Sequence, residues 1–228
     1  MKHPKSLLFS GSFLVTCLGA GATLFLTSCA TKPENDVPAS MVVRYGAVKN
    51  SKDLEVRVSL NNRAVYVLEN GEPRFVAAVT IGKPTNPTPV GDFKVQHKEA
   101  KKRSSIYGFF VKGDEVIPGK RSNMPAGYRY VGYPLPYWVY FAHDCGFHAG
   151  AVWPEARTHG CLRLHRTIAR EFYNLVEVGT PVRIRNSWPE DSTVGQKVPR
   201  PTDYDHPDSS PALRASDAVF TDIERVYF

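Results

Sequence analysis

Cysteine is scarce here, four residues in 228, and no two of them stand at the C-x2–4-C spacing of the common zinc sites. His143, Cys145, His148, His159, Cys161 and His165 do crowd together. Yet HDC and HGC put possible ligands only two residues apart, so neither a metal nor any other cofactor is expected. Internal repeats are also absent, which excludes a solenoid or propeller built from stacked units. Acids are the minority charge, 22 Asp+Glu against 29 Lys+Arg. A basic surface favours polyanions such as nucleic acid, anionic lipid or cell-wall polymer without choosing among them. Apolar residues are not lacking: at 42% of the chain they can bury one good core but hardly two.

The first residues choose a compartment. Lys2 and Lys5 precede SLLFSGSFLVTCLGAGATLFL, a run without one charge, and this order reads as an export signal. The run is long enough to be confused with a membrane span, roughly 20 residues being needed to cross a bilayer. It ends, however, in Leu26-Thr27-Ser28-Cys29, which resembles the bacterial lipobox. That resemblance implies lipidation at Cys29, cleavage before it, and a signal peptide over 1–28. The protein is then expected to be an exported lipoprotein anchored in a membrane. Ala30 in place of aspartate favours the periplasmic face of the outer membrane in a Gram-negative cell. Nucleic acid is not an expected partner there. Only Cys145 and Cys161 remain as thiols in the folded body, and a structural disulfide is the plain reading of such a pair in an oxidising compartment.

Residues 29–50 are polar and proline-bearing, and are expected to be a flexible tether. From Ser51 the pattern is that of β structure. In LEVRVSL, Leu54, Val56, Val58 and Leu60 alternate with Glu55, Arg57 and Ser59, the period of a strand with one buried face. AVYVLE and PRFVAAVTIG flank Asn70-Gly71, the strongest short hairpin signal. Residues 96–136 mix basic and aromatic side chains without a clear period, and are expected to be an irregular excursion capping one edge of a groove. PYWVYFA and PVRIR predict further strands. Ile168, Phe172, Leu175 and Val176 recur at helical spacing, with Thr167 as candidate N-cap and Gly179-Thr180-Pro181 as stop. The domain is placed at 51–186, followed by a loosely ordered Pro/Ser/Asp-rich tail at 187–228.

The chemistry concentrates in FHAGAVWPEARTHGCLRLH, Phe147 to His165. A thiol with a pKa of about 8.5 is only slightly ionised at neutral pH, so a nucleophilic Cys161 needs an imidazole nearby. His159 and His148 are both candidates. Gly160 would let backbone N–H groups approach a substrate oxygen closely.

TPVGDF (Thr88 to Phe93), FHAG (Phe147 to Gly150) and THGCLRL (Thr158 to Leu164), closed by GTPVRI, resemble in order the signatures of the L,D-transpeptidase catalytic domain. The resemblance covers roughly 51–185. It implies a mainly β fold, a mixed β-sandwich with one or two short helices and a capping loop over the cysteine. It implies Cys161 as nucleophile, His148 as general acid/base oriented by the Ala149 carbonyl, His159 in support, and Gly160 at the oxyanion hole. Arg163 and Thr158 fall at substrate-binding positions. Thr158 stands where serine is commoner, and the loop from His148 to Thr158 is short for the family.

The implied substrate is the peptidoglycan tetrapeptide stem. Terminal D-alanine would be released and third-position diamino acids cross-linked, by a monomer. Alternatives are an L,D-carboxypeptidase of the same fold and an inactive peptidoglycan-binding lipoprotein. A papain-like peptidase shares the Cys-His logic, but its cysteine precedes its histidine, and here the histidine comes first. His143 and His165 are expected to be ordinary loop or surface residues.

Overall fold

The computed structural model describes residues 41–142, 144–200 and 209–221. The expected signal peptide, Cys29 and His143 lie outside them. In chain order the strands are β1 (Val42–Arg44), β2 (Leu54–Ser59), β3 (Ala64–Glu69), β4 (Glu72–Thr80), β5 (Gly91–Lys94), β6 (His97–Lys112), β7 (Glu115–Lys120), β8 (Arg129–Ala142), β9 (Cys145–Gly150), β10 (Leu162–His165) and β11 (Pro181–Arg185). Helix α1 (Arg166–Leu175) precedes β11, and the short α2 (Pro211–Ala215) follows it.

The meander β2-β3-β4 forms as its alternation predicts, with Asn70 at φ 51° and Gly71 at φ 86° in the turn. Positive φ at both central residues matches the twist of the flanking strands. The strands run in the order β5-β11-β2-β3-β4-β10-β9-β8-β6-β7, with β1 also on β4. Strand β4 joins two layers: β3 lies on one side, while β1 and then β10 share the other. The core between the layers holds Val56, Val58, Val65 and Val67 from the first and Phe141, Phe147, Leu162 and Leu164 from the second. Helix α1 closes it with Ile168, Ala169 and Phe172. The Phe172 ring lies 4.7 Å from that of Phe147 and 6.0 Å from that of Phe75. Each such ring removed from water contributes about 1.5–3 kcal/mol. The mainly β, mixed-sheet architecture is therefore the expected one.

Five local expectations are corrected. The folded chain begins before Ser51: Met41 and Val42 are buried, and Arg44 donates from Nε to Glu171 at 2.7 Å, so apolar anchors shorten the tether. Thr167 does not cap α1. The helix starts at Arg166 with His165 at the N-cap, and Thr167 Oγ1 lies 2.8 Å from His165 Nδ1. His165 is consequently buried at the strand–helix junction rather than on the surface, and that burial pushes its pKa down to about 4.

Residues 96–136 form a long ribbon of β6, β7 and β8 instead of an irregular cap. Much of β6 is exposed on both faces, so selection for one apolar face leaves no period of two to read. Its apolar packing gathers at one end, on Phe109, Val111 and Val131. The expected loose tail is ordered over 187–200 and 209–221. Strand β3 is buried on both faces, and Trp188, Val194 and Val198 cover Ala64, Tyr66 and Leu68 on the outer one. Polar ties fix this cover: Tyr66 Oη donates to Asp191 Oδ1 at 2.6 Å, and Trp188 Nε1 donates to the Val58 carbonyl at 3.0 Å.

Candidate active site

Strands β9 and β10 run parallel, with Leu162 opposite Phe147 and Arg163 opposite His148. Side chains alternate across a strand, so Phe147, Leu162 and Leu164 enter the core while His148 and Arg163 share the other face. Cys161, one residue before Leu162, belongs to that same face. All three line a cavity of about 480 Å³, together with His159, Tyr107 and Arg214. Sequence spacing therefore becomes proximity through one register.

His148 is buried, and its Nδ1 lies 2.8 Å from the Ala149 carbonyl oxygen. A carbonyl can only accept, so Nδ1 carries the hydrogen and Nε2 keeps a free lone pair. Burial first, and then the charge of Arg163, push the His148 pKa down to about 3. The imidazole is therefore neutral across the physiological range. His159 is exposed by contrast, and it stacks on Tyr107 with ring centroids 4.4 Å apart. Its pKa is lowered by burial and by Lys83 and Arg163.

Cys145 and Cys161 are separate free thiols, so the structural disulfide is not formed. Cys161 Sγ lies 3.9 Å from the Asp144 carbonyl oxygen, and as a thiolate it accepts from the buried Cys145 thiol. That bond is the leading influence holding Cys161 below the ordinary thiol range; the Gly146 amide and Arg163 add to it, while burial and Asp144 oppose it. The Cys145 thiol is itself pushed up, by the same bond and by burial. Cys145→Ala is accordingly expected to move the pH profile of Cys161 alkylation upward while leaving a working nucleophile. An unchanged profile would show that Cys145 is packing only.

The loop carrying Cys161 is held from below. Ile81 O accepts the N–H groups of Arg157 and Thr158 at 3.0 and 3.1 Å, and Lys83 N–H donates to Thr158 O at 3.0 Å. Thr88, buried in the TPVGDF motif, accepts from Gly82 N–H at 2.9 Å and donates to Gly160 O at 2.9 Å. Thr158 is also buried. Its hydroxyl donates to Cys161 O at 2.5 Å and accepts from Gly160 N–H at 3.2 Å. Both functions of Thr158 are thus inside the loop, and the Gly160 amide is directed there too. Gly160 has φ +111°, and a Cβ on it would stand 2.7 Å from Cys145 Sγ; both facts require glycine.

Arg163 packs its aliphatic stem where a Gly150 side chain would be, and donates to Ala151 O at 3.3 Å. Sequence reasoning had no reason to single out Thr88 or Tyr107. Tyr107 comes from a break in the β6–β8 register between Arg103 and Gly108, which no pattern announces. Among the described residues no three His, Cys, Asp or Glu side chains gather as a metal site.

Fold and site together define a β-sandwich whose groove sets a thiol and a neutral histidine beside arginine. Residues 53–184 match the YkuD family model, described as the L,D-transpeptidase catalytic domain, and the chain belongs to that family. It is 33% identical over 113 residues to a Mycobacterium tuberculosis protein named "Probable L,D-transpeptidase 3", covering 48% of this chain and 38% of that one. The chain thus spans well under half the length of that relative. Among solved structures it is similar to an L,D-transpeptidase from Stackebrandtia nassauensis (21% identity, TM-score 0.45, 63% of this chain and 60% of that chain). It is also similar to the catalytic domain of the Enterococcus faecium L,D-transpeptidase (25% identity, TM-score 0.42, 61% of this chain and all of that one).

Proposed function

We propose that this protein is an exported, lipid-anchored L,D-transpeptidase that acts on peptidoglycan tetrapeptide stems through a Cys161 thioester. The reading is carried by the β9–β10 register, which sets Cys161 and Arg163 on the same face as His148, within a chain of this family. Cys161 attacks the carbonyl at the L-centre of the third-position diamino acid while His148 Nε2 takes the thiol proton. The developing oxyanion is met at the His159–Gly160–Cys161 turn, where the Gly160 amide exchanges Thr158 Oγ1 for the substrate oxygen. The bond to terminal D-alanine then breaks, and His148 returns the proton to its amine. A second stem's amine attacks the thioester, gives its proton to His148 and frees Cys161. Water in its place gives carboxypeptidation.

Arg163 also tunes the base. Its charge depresses His148, so a substrate carboxylate paired with it lifts part of that field and makes the imidazole a better acceptor. The test is incubation with defined tetrapeptide muropeptides and mass spectrometry of the products. A cross-linked dimer lacking one D-alanine supports transpeptidation. Trimmed monomers alone would make the protein a carboxypeptidase, and no product would leave a binding role. The anchor rests on the Leu26–Cys29 sequence, and Ala30 after it favours the periplasmic face of an outer membrane. Cys29→Ala should abolish labelling by a clickable fatty acid, and labelling that persists refutes lipidation there.

A further inference from the structure

The family match ends at residue 184, but the groove it defines is completed from outside it. The 209–221 segment docks against the ribbon and the core. Val219 is fully buried, and Arg103 of β6 donates to the carbonyls of Gly132, Arg214 and Ser216 at 2.9, 3.0 and 2.7 Å. The same guanidinium lies over the Phe220 ring at 4.9 Å. These ties hold α2 on the ribbon. Arg214 then places its guanidinium against the rings of Phe109 and Tyr133, at 5.6 and 5.8 Å, where it lines the cavity that contains Cys161 and His148.

The cavity wall is strongly biased in charge. Arg157, Arg163 and Arg214 line it, with Asp144 as the acidic residue among them. Arg157 lies over the Trp153 ring at 3.8 Å, whereas Arg163 and Arg214 approach from different elements, the strand β10 and the tail segment. Two guanidinium groups on separate supports suit a ligand with two separated carboxylates. A tetrapeptide donor whose third residue is a diamino dicarboxylic acid offers such a pair, in its terminal D-alanine and in the second carboxylate of that residue.

We propose that Arg214 is a substrate-specificity residue, binding a donor-stem carboxylate other than the one held by Arg163, so that the C-terminal segment contributes to the active site. The inference rests on the transpeptidase reading. It is tested by the kinetics of terminal-residue release from three donors: the unmodified tetrapeptide muropeptide, its terminal carboxamide, and its diamino-acid carboxamide. Arg214→Ala should raise KM for the unmodified donor about 10- to 100-fold with little change in kcat, the usual worth of one charge-assisted bond. It should cost nothing further on the one donor in which the carboxylate that Arg214 reads has already been replaced by a carboxamide. Arg214→Lys should recover part of the loss. Alkylation of Cys161 by uncharged iodoacetamide should stay at the wild-type rate, showing the centre intact.

An unchanged KM overturns the inference. So does an equal loss on all three donors, or a loss that Arg214→Lys shares in full along with a lowered thermal midpoint, since either makes Arg214 a buttress of the ribbon. If the wild-type protein releases nothing from any donor, the transpeptidase reading itself fails and this one with it. Wild-type turnover matched by Arg214→Ala removes only the role of Arg214.

Discussion

Cys161→Ala is expected to abolish acyl transfer, with turnover falling about 10⁶-fold, the order of loss when the nucleophile of an acyl-transfer centre is deleted. The fold should survive, because Cys161 sits at the edge of the groove and not among the side chains of the core. Intact-protein mass spectrometry is the direct check. A carbapenem or a tetrapeptide donor should leave an adduct on the wild type and none on the variant, with thermal midpoints within a few degrees. Retained turnover, or an adduct carried productively by Cys145, would reverse the assignment of the two thiols. Cys145 is the only other thiol among the described residues, so the comparison has no third candidate there.

His148→Ala should lower acylation of Cys161 by about 10²- to 10⁴-fold, the usual contribution of a positioned proton acceptor. His159→Ala should cost much less, because His159 is exposed and stacked on Tyr107. If the larger loss falls on His159, the base is His159 and the roles are exchanged. A pH signature accompanies the rate effect. With its pKa pushed to about 3 in the folded protein, against about 6.5 unfolded, His148 binds fewer protons folded than unfolded between those values. Stability from this residue is therefore complete above about pH 6.5 and is lost as pH falls towards 3. Denaturant titrations across that window should show a shallower acid loss in His148→Ala. Some slope must remain, since His165 is depressed in the same direction. The variant should also be less stable at neutral pH, because the Ala149 carbonyl loses its partner, at a cost of about 1–3 kcal/mol.

What could be read from the chain was whatever repeats locally. The alternation in LEVRVSL predicts β2 because one face of that strand is buried and the other is not. Asn70-Gly71 predicts a hairpin because few residues accept positive φ. Less legible was everything whose cause lies far away in sequence. The long ribbon has no buried face over much of β6 to impose a period. Its prolines at 134 and 136 argue against a strand, yet both pair opposite Arg103 and Lys101. The tail has the composition of a linker, and it folds because Trp188, Val198 and Val219 find apolar surface elsewhere. One clue was present: Ala64, Tyr66 and Leu68 make the outer face of β3 apolar too, which calls for a cover the strands do not supply. In the site, motif order indicated which residues come together. Thr88 and the Cys145–Cys161 contact needed coordinates, because each joins segments through a single short side chain.

Placing Cys161 and His148 by strand register has a consequence for error. A strand can slip only by whole residues, and one step turns every side chain to the opposite face. The proposed nucleophile, one residue before β10, thus has no slightly displaced position. Pairing one residue out would sink Cys161 towards Phe147 and Phe172 and lift Leu162 into the groove, exchanging reactive and inert surfaces at once. Misassembly would then both silence the thiol and bury a polar group at the cost of exposing leucine. Two penalties therefore fall on the same mistake, and the arrangement proposed to conduct the chemistry is also the one the hydrophobic core selects.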